Sequence, residues 1–456
     1  MSVLDLPADE LVSALLSLAA QERVCILDSC GIGHLGSHLL IAGIEPVEVI
    51  EISNDDTNQT LQILDQKLTD DFAAIFTLSY EFGRKMLDIG NCQFVTESPE
   101  PDAFVACFDA LVIHDYNTGI TELFGNSAKF GSITTKLRSA SANLRFEISN
   151  RPVGVISNFT RLEYLAAIEA IREYIREGET YQTNLTQQLT AQLPTDLTPE
   201  IIFARLRRDH PAPFSGFINR QSSTVISASP ERFFKVGGEV GSSTSLAHAD
   251  RKQISTSPIK GTRPRGKTEA EDEMLRADLL TSEKDRAENT MIVDLLRNDL
   301  GRVCEYGSVK VEDLCELEDH PTLFHLVSTV TGELQSGMRP SDILKALFPC
   351  GSITGAPKIS TMRIIGEVES TPRGLSMGAI GYYLPSNFGE KDAPFSPLES
   401  RLDLSVAIRT MVIRGKTATF NVGGGIVIDS DPESEYAETL TKAESLLNAI
   451  GGKLEF

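Results

Sequence analysis

The sequence lacks a long hydrophobic run and the usual features of a secretory leader. None of its apolar stretches reaches the roughly eighteen residues that a membrane-spanning helix requires. Its first residues, MSVLDLPADELV, contain no basic segment followed by an apolar one, so no signal peptide is predicted. We therefore expect a cytoplasmic protein that does not bind membranes.

Positive charge is also scarce. The 456 residues include 42 lysines and arginines against 64 aspartates and glutamates, which gives a formal net charge of −22. A surface this acidic repels the phosphate backbone, so nucleic-acid binding is disfavoured. An anionic small substrate would therefore need a site that supplies its own cations.

Motifs that mark several common site types are missing. The seven cysteines are scattered, and the one close pair, Cys25 and Cys30, has no zinc-site spacing, so reduced thiols are expected. No G-x-S-x-G or H-E-x-x-H motif occurs, which argues against two large hydrolase classes. The glycine-containing segment GSITGAPKIS at 351–360 lacks the GKS or GKT ending of a nucleotide-binding P-loop.

The length and the changing pattern of residues predict more than one structural unit. A chain of 456 residues is too long for one simple core. Residues 1–150 read as mixed short strands and helices, and the pattern changes after them. We therefore divide the chain into an N-terminal region, 1–150, and a larger region, 151–456.

Five segments give clear secondary-structure signals. RVCILDS at 23–29 is typical of a buried strand, and LSVAIRTMVI at 404–413 of another. Helical spacing predicts a helix between Thr160 as N-cap and Gly178 as stop, and a second one over 282–299. A last helix is predicted to begin near Asp431 and Pro432, since proline suits the first helical position.

Two acidic pairs share one geometry on two of these helices. Asp285 and Glu288 are three residues apart on one helix, and Glu435 and Glu438 repeat the spacing on the last one, so each pair shares a helix face. Inward-facing carboxylates repel one another unless a cation joins them, and a hard divalent ion such as magnesium meets that need. The alternative is a solvated acidic face.

Glycines and unusual cations mark three further segments. NVGGGIV at 421–427 ends a predicted strand with backbone N–H groups that suit an anion, although glycine runs also occur in bulges. Arg409 lies inside the predicted strand 404–413, either at an edge or as partner of a buried carboxylate. SPIKGTRPRG at 257–266 is rich in glycine and proline and predicts a loop around Lys260. His325, in an apolar segment, suits a core position.

Seven segments, taken in order, resemble the blocks of the chorismate-utilising enzymes. This family includes anthranilate synthase component I, aminodeoxychorismate synthase component I, and the isochorismate and salicylate synthases. The similarity is dense over about residues 155–450. The segments are PIKGTRPRG, DRAENTMIVDLLRNDLGRV, HLVSTVTGEL, GSITGAPK, GAIGYY, VAIRTM and GGGIVIDSDPESEYAET.

The resemblance implies a fold and a set of site residues. The implied fold is of the α+β class, with two packed orthogonal β-sheets flanked by helices, two interleaved subdomains and a magnesium ion between them. The implied metal ligands are Glu288 and Glu438, with Asp285 and Glu435 nearby. The implied catalytic residues are Lys260, Glu231 and His325. The groups that match the family's contacts to chorismate are Gly261, Thr262, Tyr382, Arg409, Gly423, Gly425 and Lys442.

Lys260 narrows the implied reaction. The P-I-K-G-T segment resembles the aminodeoxychorismate synthases, whereas anthranilate synthases usually carry alanine in place of the lysine. Gln182 stands where the isochorismate and salicylate synthases have a water-activating lysine, and glutamine cannot act as a general base. The resemblance implies that chorismate and ammonia give 4-amino-4-deoxychorismate for p-aminobenzoate and folate synthesis, with Lys260 as nucleophile. The alternatives are anthranilate synthase component I and a non-catalytic relative that binds chorismate.

The resemblance also implies a partner and contains departures. The chain ends about twenty residues after Glu438, so we expect a separate glutamine amidotransferase subunit to deliver ammonia. The spacer between Glu231 and Lys260 and the loop at 385–400 are longer than is usual in the family. ILDS at 26–29 resembles an element that binds feedback tryptophan in anthranilate synthase, and a plain strand end is the alternative.

Overall fold

A computed structural model of the chain describes residues 2–33, 36–68, 72–90, 98–140, 152–239, 252–319, 323–385, 388 and 400–455. Within these ranges the α-helices are α1 (Ala8–Ala19), α2 (Thr57–Lys67), α3 (Tyr80–Met86), α4 (Phe130–Ala140), α5 (Arg161–Arg176), α6 (Pro199–Asp209), α7 (Glu269–Thr281), α8 (Glu283–Gly301), α9 (Pro340–Leu347), α10 (Lys358–Val368) and α11 (Pro432–Ile450). Short 3₁₀ turns cover Ser127–Lys129 and Gly351–Ile353.

The strands of the first half of the chain are β1 (Ser2–Leu4), β2 (Val24–Asp28), β3 (Leu39–Ile44), β4 (Glu48–Ile52), β5 (Ala73–Leu78), β6 (Ala103–Phe108), β7 (Ala110–Asp115), β8 (Ile120–Gly125), β9 (Val153–Ser157), β10 (Gln182–Gln192), β11 (Phe214–Asn219) and β12 (Thr224–Ser229). Those of the second half are β13 (Arg232–Glu239), β14 (Lys252–Thr256), β15 (Ile259–Pro264), β16 (Lys310–Asp319), β17 (Leu323–Glu333), β18 (Gly355–Ala356), β19 (Ala379–Tyr383), β20 (Ser400–Val406), β21 (Thr410–Arg414), β22 (Thr417–Ile426) and β23 (Gly452–Leu454).

These strands form two sheets, and the α+β class is confirmed. The first sheet has the order β1-β8-β7-β3-β2-β11-β12-β21-β22-β10-β9-β23, with β18 also paired to β10. The second has the order β15-β17-β14-β13-β20-β19-β5-β6-β4, with β16 also paired to β17. Among the described strands, only β23 and β9 pair in parallel.

Buried side chains fill three layers around the two sheets. Cys25, Ile41 and Ile218 of the first sheet pack with Phe104 and Ile380 of the second, so one apolar cluster lies between the sheets. A larger cluster joins the other face of the first sheet to α1, α6 and α11. Another joins the second sheet to α2, α8 and α9. The result is two stacked sheets with helices on the outer faces.

The predicted helices form where their end signals lie. The Thr160 hydroxyl accepts from the backbone N–H of Glu163, whose carboxylate accepts in turn from the backbone of Thr160, so α5 begins with a capping box. The predicted 282–299 helix is α8, which begins after the N-cap Ser282. The last helix, α11, has Asp431 as N-cap. These three predictions are confirmed.

Two predicted elements differ from the structure. The segment 404–413 is not one strand, because β20 ends at Val406 and β21 begins at Thr410. The segment 257–266 is largely the edge strand β15 rather than a loop, and its proline ends the strand. In both places the backbone conformation depends on pairing with strands that are distant in the sequence, so the local composition alone predicted the wrong element.

The remaining expectations concern the division of the chain, two long connecting segments, the cysteines and membrane-spanning helices. The division after residue 150 falls in 141–151, outside the described residues, and strands from both sides of it occur in each sheet. Residues 240–251 of the predicted long spacer and most of the loop at 385–400 also lie outside them. The cysteines that are described are free thiols. No described helix is both long and apolar enough to cross a membrane.

Candidate active site

One cavity of about 540 Å³ gathers the predicted site residues between the two sheets and helices α8 and α11. Its wall contains every predicted site residue except Tyr382. These are Glu231, Lys260, Gly261, Thr262, Asp285, Glu288, His325, Arg409, Gly423, Gly425, Glu435, Glu438 and Lys442. They come from segments more than two hundred residues apart in the chain, so the fold brings together what the sequence separates.

Lys260 lies in a β-bulge at one side of this cavity. In the β15–β17 ladder Ile259 pairs with Val327 and Thr262 with His325, so β15 carries one extra residue between these pairs. A bulge bends its strand and redirects the side chains in it. The Thr262 hydroxyl and His325 Nδ1 are 2.9 Å apart, which fixes the strand next to the bulge.

Gly261 makes the bulge possible. Its φ of +89° lies in the region that side-chain-bearing residues rarely adopt. A Cβ on Gly261 would lie 2.9 Å from Leu279 Cδ1 and 3.0 Å from Asp285 Cβ. Glycine is therefore required here both by the backbone conformation and by the close approach of α7 and α8.

Glu231 is a buried carboxyl group facing the cavity, in the turn between β12 and β13. Its side chain is only 6% exposed, and Oε1 has no hydrogen-bond partner among the described residues. Burial raises the pKa of Glu231, although Ser352 and Lys260 act in the opposite direction. The group therefore holds a proton more readily than an exposed glutamate, which suits a general acid.

Each of the four carboxylates on α8 and α11 lies next to a basic side chain: Asp285 pairs with Arg263, and the three glutamates contact lysines. Lys284 Nζ lies 3.6 Å from Glu435 Oε1 and 4.0 Å from Glu288 Oε1, so one ammonium group bridges the two helices. Burial raises the pKa of Glu288, and nearby Asp285 and Glu435 raise it further against the lowering effect of Lys260 and Lys284. Negatively charged groups are therefore crowded together in this wall of the cavity.

Glu438 behaves differently from Glu288. Its pKa is lowered, because the effect of burial is outweighed by Lys442, whose Nζ lies 2.8 Å from Glu438 Oε1, and by other nearby lysines. In type, the four carboxylates fit a hard divalent cation, which prefers oxygen ligands. No group of three or more His, Cys, Asp or Glu side chains in the described ranges forms a closed metal site.

Arg409 supplies a cation without a carboxylate partner. It lies in the break between β20 and β21, with φ at +48°, rather than in the strand interior that the sequence predicted. None of the ion pairs or side-chain hydrogen bonds of the described residues involves its guanidinium. Desolvation lowers the pKa of Arg409. An anion in the cavity would relieve this cost, because a buried cation is stabilised by an opposite charge.

The glycines of β22 allow close contact with β10. A Cβ on Gly423 would collide with the carbonyl oxygen of Leu185, and one on Gly425 with the side-chain amide of Gln182. The carbonyl of Gly423 accepts from Lys442 Nζ at 3.2 Å. The glycine run is thus explained by strand packing beside the cavity, and its backbone also orients a site lysine.

Sequence reasoning singled out Gln182 but missed the buried amides of Asn184 and Asn421 beside this cavity. Asn184 Nδ2, Asn421 Oδ1 and both polar atoms of Gln182 are buried without a hydrogen-bond partner among the described residues. A signal for them existed, since every second residue of β10 from Gln182 to Gln188 is polar. Alternation of this kind places a polar row on one face of a strand.

Tyr382 is not brought to this cavity. It lines a separate cavity of about 80 Å³ together with Asp28, Ser29 and Lys235. The strand β19 carries it there, so the structure does not support a contact between Tyr382 and a ligand of the main cavity. Asp28 and Ser29 of the ILDS segment lie at the end of β2, and Asp28 accepts a hydrogen bond from Arg207 at 2.7 Å.

The family model and similar curated proteins point to the same family. The family model described as chorismate binding enzyme matches residues 23–448. Aminodeoxychorismate synthase of Streptomyces griseus is 39% identical over 77% of this chain and 47% of its own length, so the chain spans about half of that relative. Aminodeoxychorismate synthase component 1 of Bacillus subtilis is 35% identical, over 83% of this chain and 76% of its own. Anthranilate synthase component 1 of Aquifex aeolicus is also 35% identical, over 78% and 70%.

Solved structures share the fold. Anthranilate synthase component I from Streptococcus pneumoniae TIGR4 superposes with a TM-score of 0.75 at 27% identity, covering 91% of this chain and 93% of that one. The menaquinone-specific isochorismate synthase from Escherichia coli superposes with a TM-score of 0.69 at 16% identity, covering 98% and 94%. At 16% identity, the similarity to the isochorismate synthase shows only that the two proteins share a fold.

The geometry at Gly261 gives a stability prediction. Gly261→Ala combines an unfavourable positive φ with contacts of 2.9–3.0 Å, so we expect it to lower the free energy of unfolding by about 2–3 kcal/mol. Gly307→Ala is the matched control, because Gly307 has a φ of +78° and open space around it, so only the backbone cost of about 1 kcal/mol applies. Urea unfolding measures both. Equal decreases in the free energy of unfolding for the two variants would show that the close contacts with α7 and α8 do not destabilise Gly261→Ala.

Proposed function

This chain belongs to the family of chorismate-binding enzymes, and we propose that it converts chorismate and ammonia to 4-amino-4-deoxychorismate. The observation that carries the proposal is Lys260, an amine in the wall of the cavity that also contains the buried acid Glu231. Relatives named aminodeoxychorismate synthase and relatives named anthranilate synthase are similarly close, so overall similarity does not choose between the two products. We assign the product to p-aminobenzoate and folate synthesis in the cytoplasm.

Binding of the substrate rests on cations and backbone groups. Chorismate is a dianion, and Arg409 offers an unpaired guanidinium whose fork geometry matches a carboxylate. Lys442 and the backbone beside Gly423 and Gly425 line the same cavity, as does Thr262, and would hold the other polar groups of the substrate. These contacts orient the ring before any bond changes.

The first chemical step is an allylic displacement by Lys260. The lone pair of its Nζ forms a bond to carbon 2 of the ring, both double bonds of the conjugated ring diene shift toward carbon 4, and the bond between carbon 4 and its hydroxyl oxygen breaks. Glu231 gives its proton to the departing oxygen, so that water leaves. The raised pKa of Glu231 keeps that proton available, because the acid must be protonated before this step.

A second displacement releases the lysine. Ammonia forms a bond to carbon 4, both ring double bonds return to their original positions, and the bond between carbon 2 and Lys260 Nζ breaks. The incoming nitrogen loses one proton, and the ionised Glu231 lies in the same cavity to accept it. His325 contributes by holding the Thr262 hydroxyl at 2.9 Å, which fixes the strand beside the nucleophile. The two displacements give net substitution at carbon 4.

Magnesium is the cofactor that we assign to the acidic wall. Glu288 and Glu438 would hold it, with Asp285 and Glu435 nearby to orient bound water. When bound, the ion would offset the charge of a substrate carboxylate and favour the developing charge of the reaction. Lys284, which bridges Glu288 and Glu435, would compete with the ion for the same oxygens.

Lys260 is tested by substitution and product analysis. Lys260→Ala should lower kcat/KM for aminodeoxychorismate formation by about 10²–10⁴-fold, the range for loss of a group that acts directly in the reaction. Lys260→Arg keeps the charge but is not nucleophilic, so it should be as impaired. Lys267→Ala, at an exposed position outside the cavity wall, should be unaffected. Mass spectrometry identifies the products.

The covalent intermediate on Lys260 can also be trapped, and two results would contradict the proposal. With ammonia withheld, wild-type protein should carry an adduct with the mass of chorismate less water on the peptide that contains Lys260. Undiminished aminodeoxychorismate formation by Lys260→Ala would remove the proposed nucleophile. Anthranilate as the main product of the wild type would instead make the chain an anthranilate synthase component I.

The metal assignment is tested at Glu438. Glu438→Gln should weaken the binding of Mg²⁺, measured by calorimetry with the metal alone, by at least about tenfold and should abolish turnover. Its melting temperature should not change, because the Glu438 side chain is 57% exposed. Glu433→Gln on the same helix is the control, since Glu433 lies outside the cavity wall and pairs with Arg161. Full activity of Glu438→Gln, or of wild type in excess chelator, would contradict the assignment.

The source of ammonia gives a further prediction. We propose that a separate glutamine amidotransferase subunit supplies it, as the resemblance implies. The purified chain should therefore aminate chorismate with ammonium chloride and not with glutamine, and glutamine should become a donor when an amidotransferase subunit is added. Turnover with glutamine by the single chain would refute the need for a partner.

A further inference from the structure

The side-chain amide of Asn184 differs from the other polar groups in the wall of the main cavity that the proposed reaction uses. Asn184 lies on β10 and is only 7% exposed, and its Nδ2 has no hydrogen-bond partner among the described residues. A buried polar group without a partner destabilises a protein. A ligand that accepts a hydrogen bond from this amide would remove that cost.

Two of the four residues in the polar row of β10 have partners within the protein. Residues two apart in a strand share a face, so the row consists of Gln182, Asn184, Thr186 and Gln188. The Thr186 hydroxyl donates to the Glu369 carboxylate at 3.0 Å, and Gln188 Nε2 donates to a backbone carbonyl at 3.0 Å. Gln182 has no partner among the described residues, but it does not line the main cavity. Asn184 is therefore the member of the row whose unsatisfied amide lies in the cavity wall.

The backbone of Asn184 is held on both sides, which fixes the point where its side chain begins. Its N–H donates to the carbonyl of Thr354 at 2.9 Å, and its carbonyl accepts from Arg373 Nη2 at 2.6 Å. Arg373 is itself buried and pairs with Glu369 at 2.7 Å. The Asn184 amide therefore extends from a firmly bonded segment, and a partner for it has to come from the cavity.

The same arginine connects Asn184 to the part of the wall that contains Glu231. Arg373 Nη1 donates to the carbonyl of Ile353 at 3.0 Å, so one guanidinium joins Asn184 to the 3₁₀ turn that contains Ile353. Ser352 of this turn hydrogen-bonds the side chain of Glu231. All of these residues except the arginine line the main cavity. The unsatisfied amide and the proposed general acid therefore belong to one connected section of the wall.

The chemistry of chorismate indicates which of its groups would bind this amide. The two carboxylates suit the cations Arg409 and Lys442, whereas a neutral amide suits a neutral partner. The hydroxyl on carbon 4 both donates and accepts hydrogen bonds, as an amide does, and it is the group that Glu231 protonates in the proposed reaction. The ether oxygen on carbon 3 only accepts hydrogen bonds and receives no proton from the acid.

We infer that Asn184 is a specificity-determining residue whose amide hydrogen-bonds the hydroxyl on carbon 4 of chorismate and then the nitrogen that replaces it. The inference rests on the proposed function, since it takes chorismate as the ligand and carbon 4 as the reacting atom. The amide takes part in no bond change, and it holds carbon 4 near Glu231 while water leaves and ammonia enters. A contact with both the leaving and the entering group favours substitution at carbon 4 over amination at carbon 2.

The binding of two ligands to variants of Asn184 tests this contact. The ligands are chorismate and 4-deoxychorismate, in which hydrogen replaces the hydroxyl on carbon 4. Calorimetry in magnesium chloride measures both on a Lys260→Ala background, which cannot form the covalent adduct. Asn184→Val should reduce the preference for chorismate over 4-deoxychorismate by about tenfold, because one hydrogen bond to the hydroxyl is lost. Its affinity for 4-deoxychorismate should not fall.

A second variant and a matched control accompany this measurement. Asn184→Ala should lose the preference as Asn184→Val does, and melting curves show which variants are folded. Thr183→Val is the control, because Thr183 is the next residue on β10, is fully buried and has a hydroxyl without a partner among the described residues, but does not line the main cavity. It should keep the preference of the Lys260→Ala parent. An equal loss of affinity for both ligands in the Asn184 variants would overturn the inference.

Separate outcomes distinguish this inference from the proposed function. If the wild type forms aminodeoxychorismate and the Asn184 variants keep the preference of the parent, the contact is overturned and the function stands. If the Asn184 variants lose the preference but the wild type forms anthranilate, the contact with the hydroxyl stands and the proposed product falls. If the chain does not bind chorismate, both fall.

Discussion

The antiparallel pairing of β10 with β22 is the constraint on which the rest of this structure depends. It runs without interruption from Thr183 opposite Ile426 to Gln192 opposite Thr417. One face of the pair adds Leu189 and Phe420 to the apolar core, and the other carries the polar row and the glycines beside the main cavity. Because side chains alternate, a slip of one residue would put amides into the core and leucine into the site. Core and site therefore share one register.

Charge balance within the cavity explains how so acidic a chain offers a place to a dianion. The acids of α8 and α11 face the basic side chains of Lys284, Lys442 and Arg263, so the wall is not simply negative. Arg409 stands apart because no described carboxylate pairs with it. A desolvated cation without a partner destabilises the empty protein, and an anionic ligand would offset that cost. Affinity for an anion is thus built into the fold through one unpaired guanidinium.

The parts that the sequence predicted are those governed by local rules. The N-cap at Thr160 and the three-residue spacing of each acidic pair depend only on helix geometry, and the structure has both. The bulge at Lys260 depends on pairing with β17, and the left-handed conformation of Arg409 depends on the break between two strands. Neither leaves a local signal. Tyr382 was misplaced because a motif does not tell which side of a strand faces which cavity.

The placement of lysine on this scaffold offers a physical reason why one fold gives different products. Gln182 lies on β10 of the first sheet, beside Gly425 of the cavity wall. By the resemblance described above, the isochorismate and salicylate synthases have a lysine at the position of Gln182. Lys260 lies on β15 of the second sheet. A base on the first sheet would activate water there, whereas an amine on the second approaches the ring from a different wall. Glutamine cannot take a proton from water, which supports the proposed role of Lys260 in the bulge.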